Sequence, residues 1–331
     1  MIEVIGSLLL VFFALLGAPL FAVLGGVALL LFFLSGTDLV VLSDEHYKLA
    51  TNPHLITIPL FTFAGFLMAE SRAADRLVRA DRALFGFLPG GLAVTVIVSC
   101  AFFTTFTGAS GVTIIALGGL LHPMLIQERY PRDYSMGVIT ASGSIGLLFP
   151  PSLPIILYGI VASTSIDQLF IAGILPGMLL MGVLIVHAVF VGVKADVERT
   201  PLDPQEALAA CWDVKWELMV PVVVLVGIYG GYVTIAEASA LAALYVLFVE
   251  VVIHKDISIF PGDESRKDLA FVVRESMVMV GAILLILGVA LGLTNYLIQE
   301  EVPMKLLAII EQHIESRTTF LLLLTVFLLI V

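Results

Sequence analysis

The sequence predicts an all-α polytopic membrane protein, and three observations predict it. Of its 331 residues, 60% are apolar and only 13% are charged, against about 25% charged in an ordinary soluble domain. Long apolar stretches recur along the whole chain, and the charges gather in the short segments between them. A soluble fold could not hide this much apolar surface behind so few charges, so the lipid bilayer is the solvent for much of it. The net charge of −11 sits mostly in loops and says little about partners. No basic stripe with interleaved aromatics appears, which argues against nucleic acid as a partner. Cys100 and Cys211 form no disulfide or zinc pattern, and the six histidines are scattered singly.

Residues 4–34 are apolar throughout, too long for a secretory signal core and without its basic flank. As a single helix they would reach about 46 Å, against a hydrocarbon core of ~30 Å. A kink at Gly17-Ala18-Pro19 or a tilt would absorb the excess. Further apolar stretches occupy 55–69, 88–121, 134–166, 168–193, 218–235, 238–253 and 276–298, with another beginning at 318. Arg72, Arg76, Arg79 and Arg82, with Asp75 and Asp81, fall on a short helix that reads as a solvated arm facing lipid headgroups. Trp212 and Trp216 read as interfacial anchors. Thr234-Ile235-Ala236-Glu237 has the form of a capping box, so Glu237 reads as a cap rather than an intramembrane functional acid.

The basic residues test a topology. With a cytoplasmic N-terminus, and with 88–121 entering and leaving on one side, thirteen of the sixteen Lys and Arg face the cytoplasm. Only Lys48, Lys305 and Arg317 then lie outside, a strong positive-inside bias. A single crossing by 88–121 would turn seven residues, Lys194 to Arg274, outward.

Two of the apolar segments are broken. Residues 83–127 carry no Lys, Arg or acid, and at their middle stands Thr104-Thr105-Phe106-Thr107-Gly108-Ala109-Ser110-Gly111-Val112-Thr113. The arms on either side, about 91–105 and 112–121, are short for crossing, which predicts a re-entrant helical hairpin with its tip near the midplane. The second break is Ala141-Ser142-Gly143-Ser144-Ile145-Gly146-Leu147-Leu148-Phe149-Pro150-Pro151-Ser152. Two successive prolines lack amide hydrogens and disfavour helix before them, which predicts a half-helix, an unwound bend and a second half-helix starting near Ser152. Helix C-termini and freed carbonyls suit a bare cation such as sodium. Helix N-termini suit a carboxylate. The competing reading is that Gly and Ser here only let helices pack closely. No nucleotide loop is present, since no Gly-Lys-Ser/Thr follows the glycines. The chain carries no intramembrane Asp pair, Ser-His pair or His-Glu-x-x-His, which argues against a membrane-embedded enzyme. A passive channel or a non-transporting partner subunit remains the alternative to a transporter.

At these segments the sequence resembles the large membrane subunit of the tripartite ATP-independent periplasmic (TRAP) transporters. The likeness is carried by Phe106-Thr107-Gly108-Ala109-Ser110-Gly111, Phe149-Pro150-Pro151-Ser152-Leu153 followed by Tyr158-Gly159, Ala172-Gly173-Ile174-Leu175-Pro176-Gly177, and Gly231-Tyr232-Val233-Thr234-Ile235-Ala236-Glu237-Ala238. The resemblance implies a secondary transporter of inverted-repeat design in a bacterial or archaeal inner membrane. It implies sodium as coupling ion, an organic-acid substrate, a small four-helix membrane subunit and a periplasmic substrate-binding protein. It also implies an ion site at Thr107, Gly108, Ser110, Gly111, Ser142, Gly143, Gly146 and Pro150, and substrate contacts from Thr107, Ser110, Thr113, Pro151 and Ser152. Ser144 belongs to the same bend. Bulky replacements at Gly143 or Gly111 are expected to clash. Residues 1–215 then form the first repeat and 216–331 the start of the second, without its hairpin. Members of the family continue further, whereas this sequence stops at Val331 inside an apolar run, so half of the expected site is absent from it.

Overall fold

The structure, a computed structural model, describes residues 2–195, 197, 201–259, 267–313 and 316–330. Its helices are α1 (Ile2–Leu15), α2 (Leu20–Ser35), α3 (Val40–Ala50), α4 (Thr57–Glu70), α5 (Ala73–Phe85), α6 (Gly91–Thr107), α7 (Ser110–Gln127) and α8 (Arg132–Ile145). They continue with α9 (Leu153–Val161), α10 (Ile166–Lys194), α11 (Pro204–Asp213), α12 (Lys215–Tyr229), α13 (Ile235–Phe248), α14 (Leu269–Gln299), α15 (Val302–His313) and α16 (Arg317–Ile330). Pro53–Ile56 and Gly146–Leu148 are 3-10 turns, and Val249–Ile253 is a π turn ending α13. The strand content among the described residues is a two-residue parallel pair, β1 (Ile257–Ser258) with β2 (Lys267–Asp268). By length and composition five segments could cross a membrane: Pro53–Glu70, Ser110–Gln127, Ile166–Lys194, Ile235–Ile253 and Leu269–Gln299. A sixth is the pair Arg132–Leu148 and Leu153–Val161, bent by 46°. The fold is therefore an all-α polytopic membrane protein.

The chain divides into two compact units, Met1–Asn52 with Gly281–Val331, and Pro53–Val280. In the first, the N-terminal expectation needs correction. Residues 4–34 are not one kinked or tilted helix but two, α1 and α2, that fold back on each other. Gly17 takes a left-handed φ of 83° at the turn. Gly6 lies against Leu30 and Gly26 against Leu10, a pairing that runs antiparallel. Pro19, which has no amide hydrogen to give, starts α2 and makes the reversal natural. In the same unit Phe32 is fully buried and meets Tyr296 edge-on at 5.3 Å. Asn295 Nδ2 donates to Glu45 Oε1 at 3.0 Å. The segment between the last two apolar stretches, 299–317, contains α15.

The second unit holds the hairpin and the broken helix. α4 packs against α13 and against α6, with Ile58, Phe61 and Leu67 fully buried. The capping box at the start of α13 is formed: Thr234 Oγ1 accepts from the Glu237 amide at 3.3 Å, and Glu237 Oε2 accepts from the Thr234 amide at 2.7 Å. The arm, α5, departs from expectation. It is strongly amphipathic, with Ala73, Leu77, Val78 and Ala80 buried. Several of its charges are paired while still partly exposed: Arg79 bonds Glu206 and Asp213 of α11, and Arg82 bonds Glu128. Arg76 and Asp81 are turned inward. Pattern alone could not reveal this, because the acids that receive Arg76 and the Ser99 hydroxyl that meets Asp81 lie on other elements.

Candidate functional site

α6 ends at Thr107 because Gly108 follows it with φ 63°, a left-handed conformation that only glycine takes without strain. The Gly108 amide closes the helix on the Thr104 carbonyl at 2.8 Å, and α7 begins two residues later at Ser110. The chain reverses there. Thr104 Oγ1 lies 2.8 Å from Thr113 Oγ1, and Thr107 Oγ1 lies 3.0 Å from it, although nine and six residues separate the pairs. All three threonines are fully buried. Thr104 Oγ1 also meets the Cys100 carbonyl at 2.8 Å, and Thr107 Oγ1 approaches the Ala109 carbonyl at 3.5 Å. The arms are longer than the sequence implied. α7 alone has 18 residues, about 27 Å of helix, so shortness is not what makes this a hairpin; the tight reversal is.

The bend faces this tip. α8 runs into the 3-10 turn Gly146–Leu148, Phe149 is extended, and α9 starts after Ser152. Ser152 Oγ donates to the Leu147 carbonyl at 2.5 Å, serving one carbonyl that the prolines leave without an amide. The Gly146 carbonyl accepts from the Phe149 amide at 3.1 Å and lies 3.3 Å from Thr105 Oγ1. A Cβ on Gly146 would overlap the Ala101 carbonyl oxygen, so the bend rests directly on the backbone of α6. A Cβ on Gly143 would stand 2.8 Å from the Ile114 side chain and 3.5 Å from the Ser110 carbonyl oxygen. A Cβ on Gly108 would overlap Leu153, the first residue of α9. Two helix C-termini, at Thr107 and Leu148, and two N-termini, at Ser110 and Leu153, therefore converge. No charged side chain lies in 104–113 or 141–153.

Of the residues expected here, Thr107, Gly108, Thr113, Gly143, Gly146, Pro150, Pro151 and Ser152 are brought into or against the tip and bend. Ser110 contributes its carbonyl next to Gly143. Ser142 is buried but its hydroxyl bonds the Val138 carbonyl of its own helix at 2.5 Å. Ser144 is exposed. The expected clash at Gly111 is corrected: nothing lies within 4 Å of the position a Cβ would take there, because Gly111 is on the exposed side of α7.

Other residues were missed. Thr104 and Thr105 complete the hydroxyl set. Gly65 of α4 packs so closely that a Cβ would overlap the Phe106 carbonyl and the Thr107 Cα. Thr62, three positions earlier on the same face, has a buried hydroxyl with no hydrogen-bond partner among the described residues. Gly173 of α10 leaves room for the Leu148 carbonyl oxygen, and Gly177 sits 3.0 Å from the Phe149 ring. That gives a steric reason for glycines in Ala172–Gly177. Beside the bend, a cavity of about 240 Å³ is lined by Phe102, Phe106, Phe149, Pro150, Met181 and Pro221, with the hydroxyl of Thr105. It is too apolar to receive a carboxylate. At the outer flank of α6, Asp81 of α5 accepts from Ser99 Oγ at 2.5 Å. Burial pushes the Asp81 carboxyl up to about 7, with the Ser99 hydrogen bond opposing.

An uncharged polar junction of broken helices inside an apolar bundle defines a class, the membrane component of a transport system. The comparisons resolve the class further. The family description "Tripartite ATP-independent periplasmic transporter, DctM component" matches residues 7–331, and the chain belongs to that family. It is 38% identical over 208 residues to the isethionate TRAP transporter permease protein DctMQ of Oleidesulfovibrio alaskensis, covering 62% of this chain and 32% of that protein. It is 33% identical to the ectoine/5-hydroxyectoine large permease protein UehC of Ruegeria pomeroyi, over 69% of this chain and 54% of that one. It is 30% identical to the C4-dicarboxylate large permease protein DctM of Pseudomonas aeruginosa, over 87% of this chain and 65% of that one. The chain thus spans from a third to two thirds of the length of these relatives, which are named as permeases and not as enzymes.

Proposed function

We propose that this chain is the membrane core of a sodium-coupled secondary transporter. It imports a small organic acid, a carboxylate, that a periplasmic substrate-binding protein delivers, and it works beside a small four-helix membrane subunit in a bacterial or archaeal inner membrane. The observation that carries this reading is the convergence of two helix C-termini and two N-termini where no side chain is charged. The sodium ion is cargo here. The carbonyl end of α6 at Thr107, with the hydroxyls of Thr104, Thr107 and Thr113, offers it oxygen dipoles. Gly108, Ser142, Gly143, Gly146 and Pro150 take part through backbone shape, whereas Gly111, expected in the same set, faces away from the bend. The N-termini at Ser110 and Leu153 favour the substrate's negative charge, with Thr107, Thr113, Pro151 and Ser152 around them. The orientation rests on the basic residues from Arg72 to Arg274, not on the N-terminus, which α1 and α2 return to the side of Gly36.

The test uses the full-length permease with its small subunit and binding protein in liposomes. Uptake of a radiolabelled organic acid should follow an inward sodium gradient and cease when potassium replaces sodium. Equal flux in both directions with either cation would select the passive channel.

A further inference from the structure

The first turns of α5 hold a charge cluster that the hairpin and the bend do not use. Arg76 reaches three carboxylates on three separate segments. Its Nε donates to Glu217 of α12, its Nη2 to Glu250 in the π turn at 3.1 Å, and its Nη1 to Asp256 at 2.6 Å. The Arg72 amide also donates to Asp256, at 3.1 Å. Glu217 and Glu250 are each 1% exposed and Arg76 11%. With neutral His254 the cluster sets three negative charges against one positive. The neighbouring charges do not correct this. Arg79 is taken up by Glu206 and Asp213 of α11, and Lys267 lies 3.8 Å from Glu70. Among the described residues no second Lys or Arg side chain reaches the three carboxylates.

Two atoms are also left over. Glu217 Oε2 and His254 Nε2 are both buried without a hydrogen-bond partner among the described residues, and Nε2 stands 3.6 Å from Glu217 Oε1. A buried, uncompensated charge is costly, and crowded carboxylates resist full ionisation. The surplus is two negative charges; Asp256, 11% exposed, can keep its own, and a donor carrying one positive charge would offset the other. The carboxylates converge on the guanidinium rather than on a shared vacant point, and among the described residues no group of three or more His, Cys, Asp or Glu could hold a metal ion.

We propose that the Arg76 cluster is a proton-binding site, in which one proton is shared by Glu217, Glu250 and His254. Burial, and after it the facing Arg76 guanidinium, lower the pKa of the His254 imidazole, which leaves the proton chiefly on the carboxylates. α5 lies between α4 and the hairpin arm α6. With its proton the cluster ties α5 to the start of α12 and the end of α13. Without it, the surplus charge pushes these elements apart. The site is independent of the ion and substrate reading, because the experiment reads protonation and not transport.

Infrared difference spectra of the full-length permease complex, on an Asp81→Asn background, provide the test. At about pH 7 a protonated-carboxyl band that moves on deuteration is expected. Glu217→Gln and Glu250→Gln each remove one negative charge and should each release the proton and abolish the band. Asp256→Asn, at the more open edge of the cluster, removes the same charge with less risk to folding and should do likewise. The absence of the band from the background protein, or its full retention in all three variants, would overturn the proposal.

Discussion

Backbone contact decides which glycines matter at the site. A Cβ at Gly146 meets the carbonyl of Ala101, which belongs to a buried helix and cannot rotate away. At Gly143 it meets the Ile114 side chain, which can, and at Gly111 it meets nothing. The expected order of damage is therefore Gly146→Ala, then Gly143→Ala, then Gly111→Ala. Overpacking of this kind costs about 1–3 kcal/mol, on the order of a tenfold change or more in the half-saturating sodium concentration for uptake. Equal sodium titrations for Gly146→Ala and Gly111→Ala would remove backbone approach as the organising feature. Thr113 makes a different contribution, since its hydroxyl joins those of Thr104 and Thr107. Thr113→Val keeps the shape and removes a hydroxyl partner from both, leaving Thr104 its Cys100 carbonyl and Thr107 a long contact to the Ala109 carbonyl, so about 0.5–1.5 kcal/mol of stability should be lost in thermal melts for each bond removed. Asp81 adds a pH dependence. Its carboxyl is raised from 3.8 to about 7 by burial, so the folded state holds a proton that the unfolded state has released between those values. This contribution to stability is fully present below about pH 4 and is lost as pH rises through about 7. Asp81→Asn should flatten the fall in melting temperature between about pH 5 and pH 8; an unchanged slope would show that the carboxyl is ionised when folded.

Among elements, α5 and the hairpin carry the topology prediction. If α6 and α7 enter and leave on one side, Asp75 and Ile259 face the cytoplasm and Met304 faces outward; all three are exposed. Cysteines at these positions, on a Cys211→Ser background, should be labelled by an impermeant reagent from the inside, the inside and the outside respectively. Labelling of Ile259→Cys from outside would require α6 and α7 together to cross once. Much of this level was legible in the sequence. Gly108 between two apolar arms and Pro150-Pro151 after a Gly-rich run are local signals, and local signals place breaks well. The capping box at Thr234 was readable for the same reason. The break at Gly17-Ala18-Pro19 was legible as a kink but not as a full reversal, because an apolar run looks alike whether it bends or folds back. Gly65, Gly173 and the acids around Arg76 were invisible because their meaning depends on partners 25 to 180 positions away. Buried charge on an amphipathic helix carries the same pattern as solvated charge until its partners are known.

For the whole molecule, the question is what the junction of four helix ends can do by itself. Its donors are weak dipoles, and it has no cationic side chain with which to capture a dilute anion from water. A carboxylate bound only by two helix termini gains about 0.3–1 kcal/mol from each dipole at exposed sites and up to ~2 kcal/mol in partly buried ones. Set against the several kcal/mol that association itself costs, this is too little for micromolar capture, which needs about −8 kcal/mol. High affinity must then come from outside this junction, and under the proposed function the periplasmic binding protein would supply it by delivering substrate at high local concentration. The expectation is that the complete membrane complex in liposomes, under a sodium gradient, takes up micromolar substrate only when binding protein is present. Without it, uptake should appear only at millimolar substrate and remain sodium-dependent, since the ion's oxygen ligands belong to the membrane subunit. Micromolar uptake by the membrane complex alone would mean that the junction binds the acid tightly unaided. A charged substrate contact would then have to exist outside residues 104–113 and 141–153.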